Sequence, residues 1–140
     1  MDGTFGGLDI VCNLIKANQK YYGSEDNYED LFGFDLEEPF QICHRVIPTM
    51  IRGGGGVIIN IGFYTNHLSD INLNFNPGKA GLVGLSKNFA YRYIRHGIRC
   101  NVIHCTENQS VQSERIADAC LELCCNKDIN ATEVMILKSS

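Results

Sequence analysis

Four short, nearly continuous apolar runs punctuate the chain: LDIVCNLI (8–15), VIINI (57–61), IRCNVI (98–103) and TEVMIL (132–137). Runs of this length, rich in β-branched residues, suit strands buried on both faces. The segments between them repeat their apolar residues at steps of three and four, the period of a helix with one buried stripe. In the first segment Leu36, Phe40, Cys43, Ile47 and Met50 share a face, and Asp26-Asn27-Tyr28-Glu29 ahead of them has the form of a capping box. This spacing predicts a helix over 27–52, broken or kinked near Pro39. The second starts at Pro77, a favoured first-turn residue, buries Leu82, Leu85, Phe89 and Tyr93, and stops at Gly97. The third, over 114–125, follows a polar link and brings Ile116, Ala119, Cys120 and Leu123 together. Strands alternating with helices pair in parallel through right-handed crossovers, which predicts an α/β fold: an open parallel sheet covered on both faces.

Charge and composition narrow the function classes. A chain of 140 residues supplies one domain's worth of core. A net charge of −4 gives nucleic acid no electrostatic footprint. No apolar run reaches the ~18–20 residues of a membrane helix, and the acidic start MDGTFGGLDIV lacks the basic lead of a secretory signal. The expectation is a cytoplasmic protein with no membrane and no nucleic-acid partner. Seven cysteines, odd in number and irregularly spaced, read as reduced thiols. Cys12, Cys43 and Cys100 lie inside apolar runs, where a thiol behaves as a small hydrophobe. Cys105, Cys120, Cys124 and Cys125, with His104 nearby, form no paired C-x-x-C knuckle, so no metal is expected.

Two stretches invite a ligand. Gly53 to Gly56 has the look of a phosphate cradle, but the order is reversed. These glycines follow a helix and precede a strand, where the unsatisfied backbone groups are carbonyls rather than amides. A helix-to-strand turn is the expected role. Lys79, in the first turn of NPGKAGLVGLSK, stands where the helix dipole disfavours a cation. Solvated surface is the ordinary reading, yet a side chain set against local preference raises a functional question.

Several segments in order resemble the short-chain dehydrogenase/reductase family. FGGLDIVCNLI (5–15) resembles that family's FGGLDVLVNNAG strand, and IPTMIRGGGGVIINIG (47–62) its helix-turn-strand into the catalytic serine. NPGKAGLVGLSKNFAYRYIRHGIRCNVI (76–103) resembles its Y-x-x-x-K helix and following strand, and ERIADACLEL (114–123) its penultimate helix. The resemblance implies a partial Rossmann-like, doubly wound sheet of four strands and three helices, corresponding to the C-terminal part of the family domain. Residues 1–140 then form a single partial domain lacking the N-terminal dinucleotide-binding half.

The family's chemistry uses a tyrosine whose hydroxyl pKa, normally ~10, is lowered by a lysine four residues on, so that it passes a proton to or from the substrate oxygen. A serine hydrogen-bonds the same oxygen, an asparagine holds a relay water, and the lysine also binds the nicotinamide ribose. Position by position, the lysine is Lys79, the tyrosine has become Phe75, the serine Phe63 and the asparagine Asp35. Thr65 or Tyr64 stands near the serine position, but neither is one helical turn from Lys79. Loss of a general acid/base alone costs on the order of 10²- to 10⁴-fold. Around the family's N-N-A-G this chain reads Cys12-Asn13-Leu14-Ile15, bulky where a backbone should approach a ligand, with Asn13 kept as a weak cofactor contact beside Lys79. The P-G after the third strand has become Cys105-Thr106.

Three readings follow. The first is a catalytically degenerate, partner-binding relative, a pseudoenzyme with no cofactor. It would pair with itself or with a full-length family member through helices 27–52 and 77–96 or through strand 8–15, left as a sheet edge. The second is an NAD(P)-dependent oxidoreductase of carbonyls or alcohols with a rearranged site. The third is a truncated product with no folded role.

Overall fold

The structure, a computed structural model, describes residues 6–16, 36–64, 77–106 and 109–136. Its elements run β1 (Ile10–Lys16), α1 (Glu37–Arg52), β2 (Gly56–Tyr64), α2 (Pro77–Tyr93), β3 (Ile98–Thr106), α3 (Gln109–Cys125) and β4 (Glu133–Ile136). The four strands pair in parallel in the order β1-β2-β3-β4, with a described helix in each connection. Alternation along the strands sorts the core into two layers. Ile58, Ile98 and Cys100 pack with Met50 and Ile47 of α1 and Phe89 of α2. Val57, Ile59, Ile61 and Ile103 pack on the other face with Leu123 of α3. Helices thus cover both faces, as the alternating pattern implies.

Helix boundaries differ in instructive ways. Of the helix expected over 27–52, the described part begins at Glu37, and the capping-box stretch lies outside the described residues. Pro39 sits in the first turn, where its missing N–H belongs to no intrahelical bond, so it is no kink site. The interior proline is Pro48, on the exposed side, where it offers no N–H to the carbonyl one turn back. Phe40, expected on the buried stripe, is exposed at its edge and stacks on His44 while touching Phe89. α3 begins at Gln109, five residues ahead of expectation, because the polar link before it contains neither glycine nor proline to stop a helix.

The glycine run is a turn, as its order implies. Gly54 and Gly55 adopt φ of 93° and 130°, and a Cβ on Gly55 would lie 2.5 Å from the Gly97 carbonyl oxygen. Gly97 itself, at φ 77°, closes the short 3₁₀ turn Ile94–His96 that follows α2.

The expectation of strands buried on both faces holds for β2 and β3 and fails for the two edge strands, β4, where Glu133 and Met135 are exposed, and β1. Ile10 is 52% and Leu14 68% exposed, and Cys12 is exposed between them rather than buried. β1 ends the sheet, and α3, packed over β2 and β3, leaves much of that face of β1 open. No described helix is long and apolar enough to cross a membrane.

Candidate functional site

Asn13 is held from β1 in register with Asn60 of β2. Its amide donates to Asn60 Oδ1 at 2.8 Å and to Cys43 Sγ at 3.5 Å, so both amide hydrogens are taken. Asn60 repeats the arrangement one strand on, donating to Ser86 Oγ at 2.9 Å and to Cys100 Sγ at 3.8 Å. All five residues are buried. The result is a satisfied polar seam from the sheet edge to α2, in which each amide would be costly to strand. Burial also pushes the Cys43 thiol up to about 11 and the Cys100 thiol strongly upward, so both are inert acceptors.

Lys79 faces the opposite edge. Its Nζ lies 3.9 Å from Glu133 Oε1, at the start of β4, and Lys87 Nζ lies 3.9 Å from Oε2 of the same carboxylate. His104 of β3, with no exposed surface, meets Glu133 Oε1 from beneath at 3.1 Å. Desolvation, and then the charge of Lys79, lower the His104 pKa to about 4, against the opposing pull of Glu133. The imidazole is therefore neutral near pH 7, and its Nε2–H donates to the carboxylate. Two ammonium charges from α2 and one imidazole donor from β3 thus converge on one acidic side chain.

Phe63 belongs to neither group. It follows Val57, Ile59 and Ile61 in the alternation and packs on the α3 face, across the sheet from Lys79. Asn13 of β1, Phe63 of β2 and Lys79 of α2 thus stand on three elements, with Phe63 on the sheet face opposite the other two. Phe75, Asp35 and Thr65 lie outside the described residues. A cavity of about 240 Å³ does open beside Asn13, lined by Cys12, Leu14, Ile15, Glu38 and Pro39. It is smaller than the ~300–1,000 Å³ of typical ligand sites. Glu37 and Glu38 also place negative charge at the α1 N-terminus, where a dinucleotide's phosphates would otherwise be welcomed. These described residues do not fit a pyrophosphate. No described group of three or more His, Cys, Asp or Glu side chains is placed to hold a metal.

Asn60, Ser86, Lys87 and Glu133 belong to no motif that sequence reasoning picks out. An asparagine inside VIINI and a glutamate heading an apolar run are the available signals, since a polar group in a buried strand requires a partner. Arg99, also buried, serves the fold. Its guanidinium donates to the Leu123, Cys124 and Ile129 carbonyls and fixes the end of α3.

Comparison with known proteins agrees with this architecture. The family model described as Enoyl-(Acyl carrier protein) reductase matches residues 1–122. A 7alpha-hydroxysteroid dehydrogenase of Paraclostridium sordellii is 32% identical over 105 residues, covering 70% of this chain and 39% of the relative. The short chain dehydrogenase prhI of Penicillium brasilianum is 32% identical over 99 residues, covering 69% of this chain and 38% of the relative. The chain thus spans less than half the length of these curated relatives. Among solved structures, a 7 alpha-hydroxysteroid dehydrogenase complexed with NADH and 7-oxo glycochenodeoxycholic acid superposes with a TM-score of 0.72 at 20% identity, over 94% of this chain and 63% of that one. Sequence and fold agree, and the chain belongs to the short-chain dehydrogenase/reductase family.

Proposed function

We propose that this chain is a catalytically degenerate member of its family that acts by binding a protein partner rather than by turning over a substrate. The observation that carries this reading is the β1 edge. A seven-residue parallel strand ends the described sheet with Ile10 and Leu14 open to solvent. Natural sheets seldom leave such an edge uncovered, because its amides and apolar face invite another strand. The occupant is a second copy of this chain or a full-length relative, at β1 or along α1 and α2. Two substitutions support the loss of catalysis: Phe63 and Phe75 stand where the family carries its serine and tyrosine, and a phenyl ring transfers no proton. Lys79 supports it as well, since its ammonium lies against Glu133.

Light scattering on the purified protein tests the reading. The expected mass is that of an oligomer, and Leu14→Lys, which puts a charge on the open edge, is expected to weaken association about 10-fold or more. Its folding stability should change by no more than about 0.5 kcal/mol, as for other exposed positions. A well-folded wild-type monomer at all concentrations would refute partner binding through self-association. Failure to shift a full-length family member on a sizing column would then remove the remaining arm. The rival reading, an NAD(P)-dependent oxidoreductase with a rearranged site, has the retained Lys79 in its favour and requires nucleotide binding.

A further inference from the structure

β1 ends the described sheet with an alternation in its backbone as well as in its side chains. The Val57 amide donates to the Asp9 carbonyl at 2.9 Å, and the register sets Ile10 beside Val57, Cys12 beside Ile59 and Leu14 beside Ile61. In a parallel ladder of this phase, residues 9, 11, 13 and 15 turn their N–H and C=O groups to β2. Ile10, Cys12 and Leu14 turn theirs to the open side, and the same three residues are the exposed ones. Between Ile10 and Ile15 the strand carries no charge and no proline, and no bulge interrupts its register. These are the devices that keep natural edges apart.

We infer that β1 adds to β1 of a second copy, antiparallel about a two-fold axis through Cys12 and perpendicular to the sheet, joining two four-stranded sheets into one. Such an axis sets residues of the same face opposite one another. Centred on Cys12, Ile10 meets the partner's Leu14, Cys12 meets the partner's Cys12, and Leu14 meets the partner's Ile10. The outward N–H and C=O groups of all three then exchange hydrogen bonds, and the exposed apolar side chains cover each other. Charge agrees with this register: Asp9 meets the partner's Ile15 and Lys16 meets the partner's Leu8, so no like charges are opposed. Moving the axis one residue on, to Asn13, would set Ile10 against Lys16 and lose the apolar match. On the α1 face the partner's Val11 comes opposite Asn13, beside the cavity of about 240 Å³ that Pro39 and Ile42 also line. This self-pairing rests on the partner-binding reading and commits it to one occupant and one register.

Sedimentation of Ile10→Glu, of Leu14→Lys and of their equimolar mixture tests both. Each variant alone sets a charge against an apolar side chain, twice per dimer, and should associate about 10-fold or more weakly than the unmutated chain. In the mixed dimer one Glu faces one Lys, and the other pair remains Leu against Ile. The mixture should therefore associate on the order of 10-fold more tightly than either variant with itself. Amide exchange on the unmutated chain supplies a second readout. The N–H groups of Ile10, Cys12 and Leu14 should slow as protein concentration rises, whereas those of Val11 and Asn13, bonded to β2, should not change with it. Protection of the three amides without rescue in the mixture would overturn the Cys12-centred register. A dimer with neither rescue nor protection would overturn the edge pairing and leave partner binding through α1 and α2. A monomer at all concentrations would overturn it as well, and leave a full-length relative as the partner.

Discussion

The two edges of this sheet are built in opposite ways. At the β1 edge a seven-residue strand shows Ile10 and Leu14 to solvent, and a single asparagine bond ties its centre to the next strand's side chains. At the β4 edge a four-residue strand is gripped at Glu133, by the charges of Lys79 and Lys87 and by a hydrogen bond from the neutral His104 of β3. A short edge clasped by ion pairs resists adding another strand, whereas a longer, apolar one invites it. The lesson concerns Lys79, which the family resemblance aligns with a catalytic lysine. It lies at the guarded edge, among the groups that hold β4, and not beside Asn13 at the open one.

The largest effect should come from cutting the seam that ties the open edge. Asn60→Ala strands the Asn13 amide and leaves a cavity at the centre of the sheet, at a cost of about 2–5 kcal/mol measured by urea unfolding. Amides of residues 10–16 should then exchange before those of β4. Loss of β4 protection first would invert the comparison.

Acid should act on the other edge. The His104 pKa is about 4 when folded against 6.5 as reference, so the unfolded chain takes up this proton first as pH falls. Its contribution is complete above about pH 6.5, declines between 6.5 and 4, and amounts to roughly 3 kcal/mol. Unfolding midpoints across that window should show the slope, and His104→Gln should flatten it. A slope unchanged in the variant would place the acid-sensitive group elsewhere. Glu133→Gln keeps a hydrogen-bond acceptor for His104 but removes the charge facing two lysines, and is expected to cost about 1 kcal/mol. Lys87→Ala, at the most exposed of these contacts, should shift stability by less than about 0.5 kcal/mol.

The layering of the fold is legible in the chain because buried parallel strands and one-sided helices leave different periods. The glycine turn can be read from its order alone, after a helix and before a strand. The exposure of Cys12 and Ile10 cannot be read from the apolar run itself, which looks alike in a central strand and at an edge. Only the resemblance, which leaves 8–15 at the sheet edge, points to it. The site is half legible. Lys79 stands out as a cation against the dipole, but its carboxylate partner lies far along the chain, and no local pattern joins a first-turn lysine to the first residue of the last strand. Asn13 is singled out only by the resemblance, as an expected cofactor contact, whereas its bonds to Asn60 and Cys43 depend on register and helix docking.

Titration of NADH and NADPH against the purified protein, followed by fluorescence, tests the role of Lys79 most directly. A chain whose lysine serves the β4 edge gives only linear, unsaturating quenching, the same in wild type and Lys79→Ala. Saturable one-to-one quenching that disappears in Lys79→Ala would contradict it and return this lysine to a nucleotide site.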